Sequence, residues 1–104
     1  MFGDGCGERR DAGVSFLGRD LIAAMNEVDM ILDLSHAGHR TRAEATELAK
    51  WPVCTHSNAY DLLPNDRNTK DETIRAIAET GVDYISTSKI TQSAPAVDIG
   101  LDAA

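Results

Sequence analysis

The stretch that most constrains this chain runs from residue 30 to residue 58. It holds two short apolar runs, Met30-Ile31-Leu32 and Pro52-Val53, each leading into a polar phrase that carries a histidine: Asp33-Leu34-Ser35-His36 and Cys54-Thr55-His56-Ser57-Asn58. Both runs read as buried strands, and Thr41 to Lys50 between them reads as a helix, so the whole is a strand, helix, strand unit of parallel type. Parallel neighbours run the same way. Both histidines are therefore expected at the carboxyl ends of adjacent strands, the edge where barrels and open α/β sheets place their chemistry.

Side chains alternate along a strand, so Leu32, Leu34 and His36 are expected on one face of the first strand and Ile31, Asp33 and Ser35 on the other. In the second, Cys54 and His56 share a face, and Val53 and Thr55 share the opposite one. With neighbouring strands about 4.8 Å apart, His36 and His56 come close enough to share a ligand.

The rest of the chain supplies further units of the same kind. Residues 1–14 are rich in glycine and charge and read as a flexible or irregular lead-in. The alternate glycines resemble a phosphate loop only loosely, because no strand precedes them and the loop's lysine is absent. Phe16, Leu17, Leu21, Ile22, Met25 and Val28 form one helical stripe, with Ser15 as N-cap, and such a stripe is expected to pack on the sheet. Asp29 stands where glycine is the easier left-handed cap. Thr41-Arg42-Ala43-Glu44 and Thr69-Lys70-Asp71-Glu72 both have capping-box form. The second opens a third helix with Ile74 and Ile77 inward and Gly81 after its end. Ser57 to Lys70 is a polar loop turning at Pro64-Asn65-Asp66. Val82 to Thr87 reads as a third strand, and Ala96 to Leu101 as an edge strand. The fold class is α/β: a partial (βα) barrel fragment with three or four largely parallel strands and three helices.

At 104 residues the chain cannot close an eight-stranded α/β barrel, which needs roughly 250. Seventeen acidic against ten basic residues give a net charge of −7 without a basic cluster, which argues against nucleic acid and anionic membrane as partners. No segment has the apolar length of a membrane span and none reads as a secretory signal, so a cytoplasmic location is expected. Cys6 and Cys54 lack metal or disulfide spacing; Cys54 is expected as a free buried thiol, and Cys6 has no assigned place. The open sheet edges of a partial barrel favour pairing with another copy, so a homo-oligomer is expected.

The ordered phrases Gly3-Asp4-Gly5-Cys6, Asp11-Ala12-Gly13, Gly18-Arg19, Met25-Asn26, Asp33-Leu34-Ser35-His36, Pro52-Val53, Thr55-His56-Ser57-Asn58-Ala59, Arg67-Asn68 and Ile74-Arg75-Ala76-Ile77 resemble an internal stretch of the membrane (renal) dipeptidase family, over about residues 2–80. The resemblance implies a zinc-dependent barrel enzyme that cleaves dipeptides. It implies that His56 is a zinc ligand and that His36 lies beside the metals, contacting the substrate or the developing tetrahedral species. Those roles suit the residue types, since neutral imidazole ligates zinc and a second imidazole can polarise a carbonyl. The family also uses a His-x-Asp pair, a bridging glutamate and a further histidine; the first two would precede Met1, and no histidine follows His56.

From about Ala76 onward, the phrase Gly81-Val82-Asp83-Tyr84-Ile85-Ser86-Thr87-Ser88 and the residues after it resemble the carboxyl-terminal end of nicotinate-nucleotide pyrophosphorylase (quinolinate phosphoribosyltransferase). That resemblance implies phosphate contacts from Ser86, Thr87 and Ser88, and a chimera joined at Ala78 to Gly81, with residues 1–80 and 81–104 packed as one domain. A catalytic zinc site takes three protein ligands, and beside His56 and His36 the third would have to be Cys54, Asp33 or a partner chain's residue. Catalysis by the single chain is therefore not expected. Three readings stay open: a zinc dipeptidase fragment acting on a small-molecule substrate, a non-catalytic fold or assembly module in which His36 and His56 merely lie hydrogen-bonded at the sheet edge, and phosphate or nucleotide binding by the tail. His39, beside Arg40 in a polar loop, is expected on the surface.

Overall fold

The computed structural model describes residues 1–81. Their elements follow in the order α1 (Phe16–Glu27), β1 (Leu32–Asp33), α2 (His39–Leu48), β2 (Pro52–Val53) and α3 (Asp71–Glu79). The strands expected at Val82 to Thr87 and Ala96 to Leu101 lie outside the described residues. Among the described residues the sheet has two parallel strands, so α/β with a parallel pair is what the structure carries.

β1 and β2 pair with Leu32 opposite Pro52 and Asp33 opposite Val53. The ladder runs from the Leu32 N–H to the Trp51 carbonyl at 3.0 Å and from the Leu34 N–H to the Val53 carbonyl at 2.8 Å. Pro52 donates nothing to it, which is why a proline is tolerated in this strand. Regular pairing stops at Asp33, short of the alternation expected as far as His36, because a turn begins at Ser35 and His36 takes a left-handed backbone with φ 66°. The His36 carbonyl then accepts the Cys6 N–H at 2.8 Å, and Gly5 bridges to Ala37. The glycine-rich lead-in is irregular but tied down, with a second bridge from Gly3 to Val14.

Ser15 caps α1, its hydroxyl accepting the Gly18 N–H at 3.0 Å. The helix ends in a paired motif in which the Met30 N–H reaches the Met25 carbonyl and the Asp29 N–H that of Asn26, with Asp29 left-handed at φ 56°. This is the Schellman closure, made here by aspartate in glycine's place. The buried face of α1 is not the whole expected stripe. Gly18 and Ile22 are buried, while Phe16, Leu17, Leu21 and Val28 are exposed. The reason lies at Gly18: a Cβ there would stand 1.9 Å from the Phe2 carbonyl, so the bare backbone admits the amino-terminal segment against the helix.

α2 begins two residues before Thr41, with Gly38 as N-cap and no capping bond from Gly38 or from a capping box. Asp11 supplies the cap from 27 positions upstream of Gly38. Its carboxylate accepts the Arg40 N–H at 2.6 Å and the Thr41 hydroxyl at 3.2 Å. A Cβ at residue 38 would meet the Asp11 carboxylate at 2.4 Å, so glycine leaves room for it. Glu44, freed from the expected box, accepts the Val14 N–H at 2.9 Å and pairs with Arg40 at 2.7 Å. α3 likewise starts at Asp71 with Lys70 as N-cap and no side-chain cap. Thr69 is occupied elsewhere, bridging in parallel to Ala59 and sharing a 2.7 Å hydroxyl contact with Ser57.

The core is small: Ile22 from α1, Leu34 after β1, Ala45 from α2 and Ile77 from α3, with Val14, Leu32, Leu48, Ala49 and Cys54 packed around them. Beside it Arg42 is fully buried, and its guanidinium donates to the carbonyls of Leu34 at 3.3 Å and Arg67 at 2.7 Å and to that of Asn68. Asn68 is buried too, accepting the Asn58 N–H and donating to the Leu63 carbonyl. Arg42 and Asn68 together fix the polar loop that follows His56. Within that loop the Asn65 side chain accepts the Arg67 N–H at 2.9 Å, the expected turn chemistry.

Candidate active site

β1 and β2 deliver His36 and His56 to the same edge, with ring centroids 4.8 Å apart and planes tilted by 53°. Both histidines are exposed. The juxtaposition follows from parallel pairing with Asp33 opposite Val53, since two residues separate each of these from its histidine.

A network of short polar side chains holds the second histidine. The Thr55 hydroxyl lies 2.5 Å from Asp33 Oδ2 and 2.8 Å from His56 Nδ1. Ser35 Oγ accepts the backbone N–H groups of Thr55 and His56, each at 3.1 Å. Asp33 Oδ1 also accepts the Ser35 N–H at 2.9 Å. Partial burial pushes the Asp33 carboxyl up, but donation from Thr55 and Ser35 outweighs it and holds the group down to about 2. Asp33 thus stays an anion and serves the site through Thr55. The sequence reading left Asp33 facing away from the histidines and missed this role. Its signal was present in the strand period, which puts Asp33, Ser35 and Thr55 on one face of neighbouring strands.

The other candidates for a third ligand stand apart. Cys54 is half-buried with its sulfur toward the Thr69 hydroxyl at 3.9 Å, and burial pushes its thiol up, away from the thiolate that binds metals. Among the described residues, no group of three or more His, Cys, Asp or Glu side chains is arranged to hold a metal ion. His39 is not the surface residue expected of it. It is the first residue of α2, its ring stands edge-on to Tyr60 at 5.2 Å, and Nε2 lies 3.7 Å from an Asp66 oxygen. Burial, then the charges of Lys70 and Arg42, push its pKa down. Ser86, Thr87 and Ser88 lie outside the described residues, and their phosphate reading rests on the sequence alone. Among those described, no helix is long and apolar enough to cross a membrane.

Two parallel strands joined by a helix, with paired imidazoles just beyond their carboxyl ends, place the chain in the α/β class. The profile of the membrane dipeptidase family (peptidase family M19) matches residues 1–90, a span that runs through Ala78 to Gly81. The chain belongs to that family. It is 39% identical over 72 residues to an uncharacterized dipeptidase of Schizosaccharomyces pombe, a match covering 68% of this chain and 17% of that protein. Its fold superposes on an amidohydrolase from Pseudomonas aeruginosa with a TM-score of 0.72 and 39% identity, over 84% of this chain and 26% of the other. It superposes with a TM-score of 0.66 and 32% identity on a metallopeptidase from Rhodobacter sphaeroides liganded with a phosphinate mimic of the dipeptide L-Ala-D-Ala, over 72% of this chain and 21% of that one. The chain therefore spans about a fifth of the length of such relatives.

Proposed function

We propose that this chain forms part of the active-site edge of a metal-dependent dipeptidase, with His56 as one metal ligand and His36 as the group that meets the substrate. The observation that carries the reading is the pair of rings 4.8 Å apart on adjacent parallel strand ends, in a member of the membrane dipeptidase family. The match to a metallopeptidase that holds a dipeptide mimic supports a dipeptide as substrate class. Zinc suits His56, whose ring nitrogen Nδ1 is already engaged by Thr55 and whose Nε2 is left as the ligating atom. A bound zinc would supply Lewis-acid polarisation of the scissile carbonyl. His36, on the neighbouring strand end, would orient that carbonyl and stabilise the oxyanion that develops on it. Hydrolysis would need further ligands, which the described residues do not bring together with His56.

The test is a calorimetric zinc titration of the metal-stripped protein. Binding with a Kd of about 1 µM or tighter, abolished by His56→Ala, is the expected result. Absence of specific binding by the intact chain would remove the reading and leave the histidines as polar groups at a sheet edge.

A further inference from the structure

The hydrogen-bond chain behind His56 fixes more than the ring's position. A carboxylate only accepts hydrogen bonds, while a threonine hydroxyl has a single hydrogen to give. Thr55 Oγ1 stands 2.5 Å from Asp33 Oδ2 and 2.8 Å from His56 Nδ1. Its hydrogen goes to Asp33, since Asp33 has none to offer. The contact with the ring is then made in the opposite sense, with Nδ1–H donating to a lone pair of Oγ1.

We propose that Asp33 and Thr55 are positioning residues that lock neutral His56 in the tautomer with hydrogen on Nδ1, leaving the Nε2 lone pair directed outward for a divalent cation. Without such a partner, a histidine side chain favours the other tautomer, with hydrogen on Nε2, which would turn a donor toward the metal. The threonine stands between carboxylate and imidazole where metal sites more often place the carboxylate directly against the ring. Ser35 completes the frame by holding the backbone N–H groups of Thr55 and His56, and its own hydroxyl lies 3.4 Å from Thr55 Oγ1. The consequence for zinc rests on the functional reading above; the tautomer does not.

Long-range proton–nitrogen correlation spectra of the 15N-labelled, metal-free 104-residue chain, recorded above the pH of imidazole titration, read the tautomer directly. His56 is assigned by the signals that vanish in His56→Gln. The wild type should show Nδ1 protonated and Nε2 bare, Thr55→Val should shift the population toward Nε2–H, and Thr55→Ser should restore it. A wild-type His56 protonated on Nε2, or a tautomer unmoved in folded Thr55→Val, overturns the proposal. If Thr55→Val does not fold, the wild-type spectrum and Thr55→Ser still decide it. In zinc titrations Thr55→Val should lose about 10- to 100-fold in affinity while Thr55→Ser keeps most of it. Zinc failing to bind a wild type with the Nδ1–H tautomer would sink the metal reading and leave the lock standing, whereas tight zinc binding by an Nε2–H histidine would do the reverse.

Discussion

At the scale of single residues, the candidate edge depends on a side chain that never reaches it. Arg42 is fully buried, and its guanidinium binds backbone carbonyls on both sides of the site: Leu34 at the end of β1, and Arg67 and Asn68 in the loop after His56. Burial pushes its pKa down, yet a guanidinium does not lose its proton in a protein, so the charge is balanced by carbonyl dipoles. Removing the donors would strand those carbonyls in a dry interior. Arg42→Met should therefore cost about 3 kcal/mol or more of folding stability, the scale of several lost charge-assisted hydrogen bonds. Arg42→Lys should recover only part of it, because a single ammonium cannot fork between Leu34 and the loop. Urea unfolding followed by the fluorescence of Trp51 checks both, and a loss under about 1 kcal/mol for Arg42→Met would show that the clamp is not what holds the loop.

At the scale of elements, the sequence was most readable where a pattern has one physical cause. The helix between the strands and the glycine after α3 follow from burial period and backbone freedom, with α2 lying two residues ahead of the expected Thr41 to Lys50, whereas of the first apolar run only Leu32 joins a strand and Met30 and Ile31 are exposed. Capping was misread because Thr-x-x-Glu is a local signature, and a distant carboxylate can take the same N–H groups. Asp11 does so at α2, which leaves Glu44 to anchor Val14. Arg42 was unreadable for a similar reason, since an arginine in a polar helix reads as exposed until the loop that wraps it is known. At the candidate edge, the meeting of His36 and His56 was legible from the strand ends and the shared face of Asp33, Ser35 and Thr55 from the strand period, whereas the hydrogen bonds from Asp33 through Thr55 to His56 needed the geometry. The burial of α1 was misjudged at Gly18, and this gives a test with a decisive sign. In an exposed helix, Gly→Ala gains up to about 1 kcal/mol from propensity. Here the new Cβ would sit 1.9 Å from the Phe2 backbone carbonyl, and backbone cannot rotate away as a side chain can. Gly18→Ala should therefore lower the melting temperature despite the better helix former. A rise would mean that the amino-terminal segment does not lie against α1.

At the scale of the whole molecule, the described residues bury few apolar side chains and leave many outside. Ile22, Leu34, Ala45 and Ile77 make the core, while Phe16 and Leu17 on α1, Met30 and Ile31 before β1 and Trp51 before β2 are exposed. A cleft of about 290 Å³ runs beside β1, lined by Phe2, Val14, Leu21, Ile22, Leu32 and Leu34 among others. The relatives that this chain matches are several times longer than it is. Exposed apolar surface of this kind favours association between copies, and a net charge of −7 opposes it through repulsion that salt screens. Added salt screens the repulsion and leaves apolar burial in place, so association should strengthen with ionic strength. If apolar burial drives assembly, the weight-average mass in sedimentation equilibrium should rise with protein concentration and rise further as sodium chloride is added. Phe16→Glu and Ile31→Glu should lower it without unfolding the chain, because both side chains already face water. A mass that stays at one chain across concentration and salt would mean that the exposed residues are tolerated singly, and that no second copy completes the edge carrying His36 and His56.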